Sequence, residues 1–192
     1  MQIIRLDLPG LLLVKPKVFS DHRGSFSETF NARMFEDATG ISSAFVQDNE
    51  SVSIEVNTIR GLHFQTPPHA QAKLVRVTRG RILDVVVDIR SGSPTYLNSL
   101  AVELSDDQSD QLYVPKGFLH GFRTLEPQTR VNYKVDAYYS AECDRSVRFD
   151  DPALGCDWGL SGEEEVCLSD KDQAAPGFAQ FEGLFTFEGG NP

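Results

Sequence analysis

Residues 60–65 read RGLHFQ. On a β-strand, side chains alternate between faces, so His63 and Gln65 share one face and Leu62 and Phe64 the other. Arg60 opens the segment, and its planar guanidinium can fork onto a phosphate. A little further on, QAKLVRV sets Lys73 and Val75 on one face and Leu74 and Arg76 on the other. A lysine turned inward needs an anion, permanent or developing; turned outward it is an edge gatekeeper or a snorkelling surface residue. YVPKGFLHGF (113–122) makes a tight entry into a strand that presents His120. NYKVDAYY (132–139) supplies Tyr133, Tyr138 and Tyr139. Such rings pack in cores, but in a pocket a phenol delivers a proton or stacks on a base. In LSDKDQAAP, Asp170 or Asp172 either begins a helix or reaches a histidine ring nitrogen and raises its basicity. Spacing does not choose between the two acids. FSDHRGSFSETF and FVQDNESVS add Arg23, Glu28, Gln47 and Asn49 at turns and strand ends. The chemistry these types allow is proton transfer beside an anion.

The stretch 60–81 holds five basic side chains, two histidines and no carboxylate, in a chain with 18 Lys+Arg against 28 Asp+Glu. A formal charge of -10 argues against a general nucleic-acid binder, which needs a basic face. It leaves room for a small anionic ligand in a local positive pocket. At 192 residues one domain is expected, large enough to stand without metal or disulfide staples. The three cysteines are widely spaced with no CxxC pair, which fits reduced thiols and a cytoplasmic location. The N-terminal segment is broken by Arg5, Asp7 and Pro9, unlike a signal peptide, and no run of about 18 apolar residues would span a membrane.

Strands must position most of these groups. KLVRVTRGRILDVVVDI (73–89) breaks at Gly80 as two paired strands would. LAVELS, QLYVP and RVNYKVDAYYS read as further strands. Helical signals are few: NARMFEDATG (31–40), ended by Gly40, and a short segment near 169–173. Many short strands with little helix predict an all-β sandwich or barrel. The tail, 159–192, holds seven acids and one lysine and is expected to be mainly solvated.

The P-x-G-x-x-H pattern in YVPKGFLHGF is that of cupin small barrels. FSDHRGSFSETF, QDNESVS, RGLHFQTPPHAQAKLVRV, DVVVDIRSGSPTY, YVPKGFLHGF, NYKVDAYY and LSDKD together fall in the order and spacing of one family. From about residue 3 to about 185 the sequence closely resembles the dTDP-4-dehydrorhamnose 3,5-epimerases. The resemblance implies a cupin-like jelly roll with its core at about 45–150 and N-terminal strands exchanged in a homodimer. It implies action without metal or organic cofactor, on dTDP-4-dehydro-6-deoxy-D-glucose at C3 and C5. It implies His63 as base, Asp172 as the acid holding the imidazole, Lys73 as the cation beside the enolate oxygen, and Tyr133 as the donor on the opposite face. Arg60 and the partner's Arg23 would bind the diphosphate. Glu28, Gln47 and Asn49 would contact the nucleotide, Tyr138 would stack on thymine, and His120 would contact the sugar or orient the base. Arg130, three residues before Tyr133, departs from the pattern by placing a bulky cation near the expected sugar pocket.

Three other readings compete. A single-centre epimerase, acting at C3 or C5 alone, shares almost all these motifs. A metal-dependent cupin would carry HxH and a glutamate where this chain reads His63-Phe64-Gln65 without the acid, and His63, His69 and His120 make a poor ligand set. A non-enzymatic sugar-nucleotide binding module would have no need of a base opposed by an acid.

Overall fold

The computed structural model of the chain describes residues 1–42 and 44–189. In chain order the elements are β1 (Gln2–Arg5), β2 (Leu12–Lys15), β3 (Val18–Asp21), β4 (Gly24–Ser27), α1 (Ala32–Thr39), β5 (Gln47–Ser53), β6 (Ile59–Gln65), β7 (Lys73–Arg79) and β8 (Arg81–Asp88). They continue with β9 (Arg90–Ser91), β10 (Ser99–Ser105), β11 (Gln111–Val114), β12 (Phe118–Thr124), β13 (Thr129–Val135), β14 (Asp144–Ser146), α2 (Asp170–Gln173) and β15 (Phe185–Thr186). Two antiparallel sheets dominate, ordered β1-β2-β11-β7-β13-β5 and β10-β8-β12-β6-β14. Their inner faces meet in a core of Val75, Val77, Leu112, Val114 and Val131 against Ile82, Val86, Leu104, Phe118 and Phe122. The expected all-β sandwich with a few short helices is what the chain forms.

Both sheets are covered on their outer faces too. Leu12, Val14, Leu74 and Tyr113 lie under Phe35 of α1. Asn31 caps that helix by accepting from the Met34 N–H, and Gly40 ends it at φ +74° with its N–H on Glu36 O. On the other side Ile59, Leu62, Phe64, Val85 and Leu119 are covered by Leu154, Trp158 and Phe178. This double burial explains why β8 reads as a nearly unbroken apolar run. It also corrects the reading of the tail as mainly solvated: Phe178 is buried, and the edges of Phe181 and Phe185 meet Phe64.

Sequence alternation predicts β7 and β8 as a hairpin, but they lie in opposite sheets. Gly80, at φ +80°, passes the chain across the sandwich instead, where a Cβ would stand 2.5 Å from the Thr129 hydroxyl. The segment 132–139 is strand only as far as Val135. Asp136 then leaves the sheet, its carboxylate accepting from the Ala72 N–H. β3 and β4 form a separate two-stranded ribbon, exposed along nearly its whole length.

Candidate active site

At one end of the sandwich the inward positions turn from apolar to polar and line a cavity of about 300 Å³. β6 and β12 lie side by side there with His63 opposite His120. The ladder between them is irregular, so that Phe122 opposes Arg60 rather than Gly61. Strict alternation would put Arg60 and His63 on opposite faces, since they are three residues apart. The irregularity lets both line the cavity. Glycine is required at its centre: Gly61 has φ +129°, and a Cβ there would come within 2.6 Å of Gly121 Cα. From the opposing sheet β7 contributes Lys73 and β13 contributes Tyr133.

His63 and Asp172 form a close contact in the cavity, Nε2 to Oδ1 at 2.5 Å. α2 delivers the acid: Ser169 caps it by accepting from the Asp172 N–H at 3.1 Å. Asp172 is buried, whereas Asp170 is exposed, so geometry makes the choice that spacing left open. With Asp172 accepting at Nε2, the Nδ1 of His63 is the ring atom free to take a proton. Burial alone would raise the Asp172 carboxyl, but its hydrogen bonds from His63, Ser169 and Gly61 hold it below the usual value.

Lys73 Nζ lies 3.3 Å from the backbone oxygen of His63 and 3.4 Å from His120 Nδ1. Burial pulls its ammonium down to about 8, opposed by the charges of Asp84 and Asp144. His120 Nε2 lies 3.0 Å from Asp84 Oδ2, and burial lowers the His120 imidazole. Burial raises the Tyr133 phenol above its ordinary value, so it stays protonated at neutral pH.

The structure thus brings together His63, Asp172, Lys73, Tyr133, Arg60 and His120. It does not bring the remaining expected residues into the same lining. Arg23 sits on the exposed β3–β4 ribbon, paired with Asp21 at 2.7 Å, and Glu28 is exposed just beyond it. Gln47 hydrogen-bonds Asn49 and accepts from the Tyr139 N–H. Asn49 lies opposite Tyr133 on β13 and lines a neighbouring hollow of about 150 Å³. Tyr138 is 67% exposed and absent from the cavity wall; its neighbour Tyr139 lines it instead, with its hydroxyl 3.3 Å from Asp144. Arg130 points away, exposed and 3.4 Å from Glu50, so the feared intrusion on the pocket does not occur.

Sequence reasoning missed Gln71, Tyr139, Asp144 and Lys171 as lining residues, and Asp84 behind them. Asp84 had a signal, a lone carboxylate inside the apolar run RILDVVVD. Gln71 and Asp144 had none. Gln65 uses both ends of its amide on loops, reaching His69 O and Tyr138 O and accepting from the Ser140 N–H. His69 is exposed, and no cluster of three or more His, Cys, Asp or Glu side chains suited to a metal occurs among the described residues.

A family model described as dTDP-4-dehydrorhamnose 3,5-epimerase matches residues 5–180. A protein of that name from Sinorhizobium fredii is 46% identical over 182 residues, 95% of this chain and 92% of that protein. The crystal structure of the dTDP-6-deoxy-D-glucose-3,5-epimerase of Legionella pneumophila, in complex with dTDP-4-keto-L-rhamnose, is 40% identical. It superposes with a TM-score of 0.91 over 97% of this chain and 98% of that one. A 3′-monoepimerase from Streptomyces bikiniensis, in complex with dTDP-quinovose, is 33% identical with a TM-score of 0.83 over 91% and 86% of the two chains.

Proposed function

The chain belongs to the dTDP-4-dehydrorhamnose 3,5-epimerase family, and from that premise we propose how its own residues carry out the reaction. The protein is an isomerase that converts dTDP-4-dehydro-6-deoxy-D-glucose to dTDP-4-dehydro-L-rhamnose by inverting C3 and C5. Both carbons flank the C4 ketone, so loss of either proton leaves an enolate with its charge on O4. His63 takes that proton at Nδ1, and Asp172 stabilises the imidazolium it becomes. The Lys73 ammonium faces the O4 anion, a preorganised charge worth roughly 3 kcal/mol. Tyr133 returns a proton to the opposite face, which completes each inversion and regenerates the ketone. The observation that carries this reading is the convergence of the His63–Asp172 pair, the Lys73 ammonium and the Tyr133 phenol on one cavity.

Arg60 holds the diphosphate from within the cavity wall. Arg23 and Glu28 reach the nucleotide from a second copy of the chain, so the working form is a homodimer. What supports this is the β3–β4 ribbon, which exposes Phe19 and Phe26 together with Arg23, away from its own chain's cavity. Gln47 and Asn49 contact the nucleotide from β5. Tyr139, rather than Tyr138, takes the role of the stacking aromatic. His120 steadies Lys73 and borders the sugar. The two sheets and their coverings act as one domain, and the unpaired Cys143, Cys156 and Cys167 favour a reducing cytoplasm.

The likeness to a 3′-monoepimerase supports a second reading, inversion at one carbon only. Proton NMR of the substrate incubated with enzyme in D2O separates the two. Deuterium should enter at both C3 and C5; entry at one carbon alone defeats the double epimerisation, and entry at neither defeats the epimerase reading.

A further inference from the structure

Asp84 is fully buried on β8, and the mechanism above makes no use of it. Its Oδ2 lies 3.0 Å from His120 Nε2, and among the described residues its Oδ1 has no hydrogen-bond partner. A buried carboxylate with a single hydrogen bond is a poor stabiliser of a fold, because desolvation outweighs what one contact returns. Its placement does answer a need of the site. A carboxylate only accepts, so a neutral His120 must donate from Nε2 and keep its lone pair on Nδ1. That lone pair is the atom 3.4 Å from Lys73 Nζ.

We infer that Asp84 is a positioning residue for the epimerisation, fixing the His120 tautomer so that Nδ1 and the backbone oxygen of His63 hold the Lys73 ammonium and leave one N–H for the substrate ketone. An ammonium has three donors, and these two acceptors take two of them. Were His120 protonated at Nδ1, two N–H groups would confront each other and Lys73 would turn away or lose its proton. Asp84 also lends charge: it is the foremost group opposing the loss of the Lys73 proton that burial favours. The other ionisable groups around Lys73 are spread over several elements. His63 and Arg60 lie on β6, His120 on β12, Tyr133 on β13, Asp144 on β14, and Lys171 and Asp172 on α2. Lys171 pairs with Asp144 at 2.5 Å and Asp172 with His63 at 2.5 Å, so each carboxylate has a hydrogen-bonded partner of its own, and Asp144 reaches Lys73 only through its charge, after Asp84. Asp84 is left as the carboxylate committed to the Lys73–His120 side.

The inference rests on the epimerase reading. The test compares wild type and Asp84→Asn in turnover from pH 6 to 10, with 15N NMR of the histidine rings in both. The amide oxygen of asparagine can still accept from Nε2, so this variant keeps the tautomer and loses the charge. A charge one imidazole away should move the alkaline limb of kcat to lower pH by about one unit, with KM changed less than about threefold. Turnover at pH 8 should fall about fivefold and recover as the pH is lowered. Asp84→Leu loses tautomer control as well and should not recover. In wild type, His120 should carry its proton on Nε2 throughout. An unmoved alkaline limb in Asp84→Asn, or a proton on Nδ1 of His120 in wild type, overturns the inference. A purely structural Asp84 would lower stability without moving that limb. If Asp84→Asn fails to fold, the wild-type ring signals alone decide. A wild type with the expected tautomer that exchanges no substrate proton would instead overturn the epimerase reading.

Discussion

Replacing Lys73 with methionine should make the protein more stable and nearly inactive. Methionine matches the length of the lysine stem without its charge. The fall of the Lys73 ammonium from 10.5 to about 8 means that the folded state disfavours this charge by about 3 kcal/mol. Against that stand two long hydrogen bonds, to His63 O and His120 Nδ1, each worth about 1 kcal/mol. The net expectation at pH 7 is a gain of about 1 kcal/mol, or roughly 2–4 °C in Tm for a chain of this size. The sign depends on pH. In the wild type the folded lysine loses its proton near pH 8 while the unfolded one keeps it to about 10.5, so wild-type stability rises over that window. The variant's advantage should therefore shrink between pH 8 and 10.5. Turnover should fall 10²–10³-fold, the usual effect of losing one preorganised donor at a developing oxyanion. Wild-type kcat should decline as pH rises through about 8, because only the ammonium form stabilises O4. Melting curves at several pH values and deuterium exchange into the sugar read both effects. A variant that melts below wild type at pH 7, or one retaining a tenth of its turnover, refutes the reasoning.

Asp172→Asn should reduce kcat by roughly 10²–10³-fold with little change in KM, because it removes a buried charge 2.5 Å from the imidazole that must become cationic; stopped-time NMR assays check this, and a loss under fivefold would deny Asp172 its role. Tyr139→Ala should raise KM about tenfold or more, in line with a lost base-stacking contact of about 1–3 kcal/mol, while Tyr138→Ala should leave it unchanged; the reverse pattern in steady-state kinetics would return the stacking role to Tyr138.

Much of the site was legible in the sequence because its residues sit on strands whose alternation can be read. Lys73 beside Val75, and His63 beside Gln65, announce a shared face once a strand is granted. Asn31 and Gly40 bracket α1 by local chemistry alone, Asn31 with its side-chain oxygen and Gly40 with its left-handed backbone. Motif order fixed the family, and with it the roles to look for.

What the sequence could not settle depended on which strand lies beside which. Gly80 reads as a hairpin turn, yet the strands it joins belong to different sheets, because Thr129 and the long β7–β13 and β8–β10 ladders set their partners. Arg60 and His63 share a cavity through one irregularity at Gly61, which alternation forbids and the close approach of Gly121 requires. The choice of Asp172 over Asp170 rests on the direction of one capped turn packed beneath β6. Asp84 is a lone acid in an apolar run until β12 sets His120 beside it. Local sequence determines which groups are available and which way each faces on its own strand. Only tertiary packing decides distance, and charges and protons act through distance.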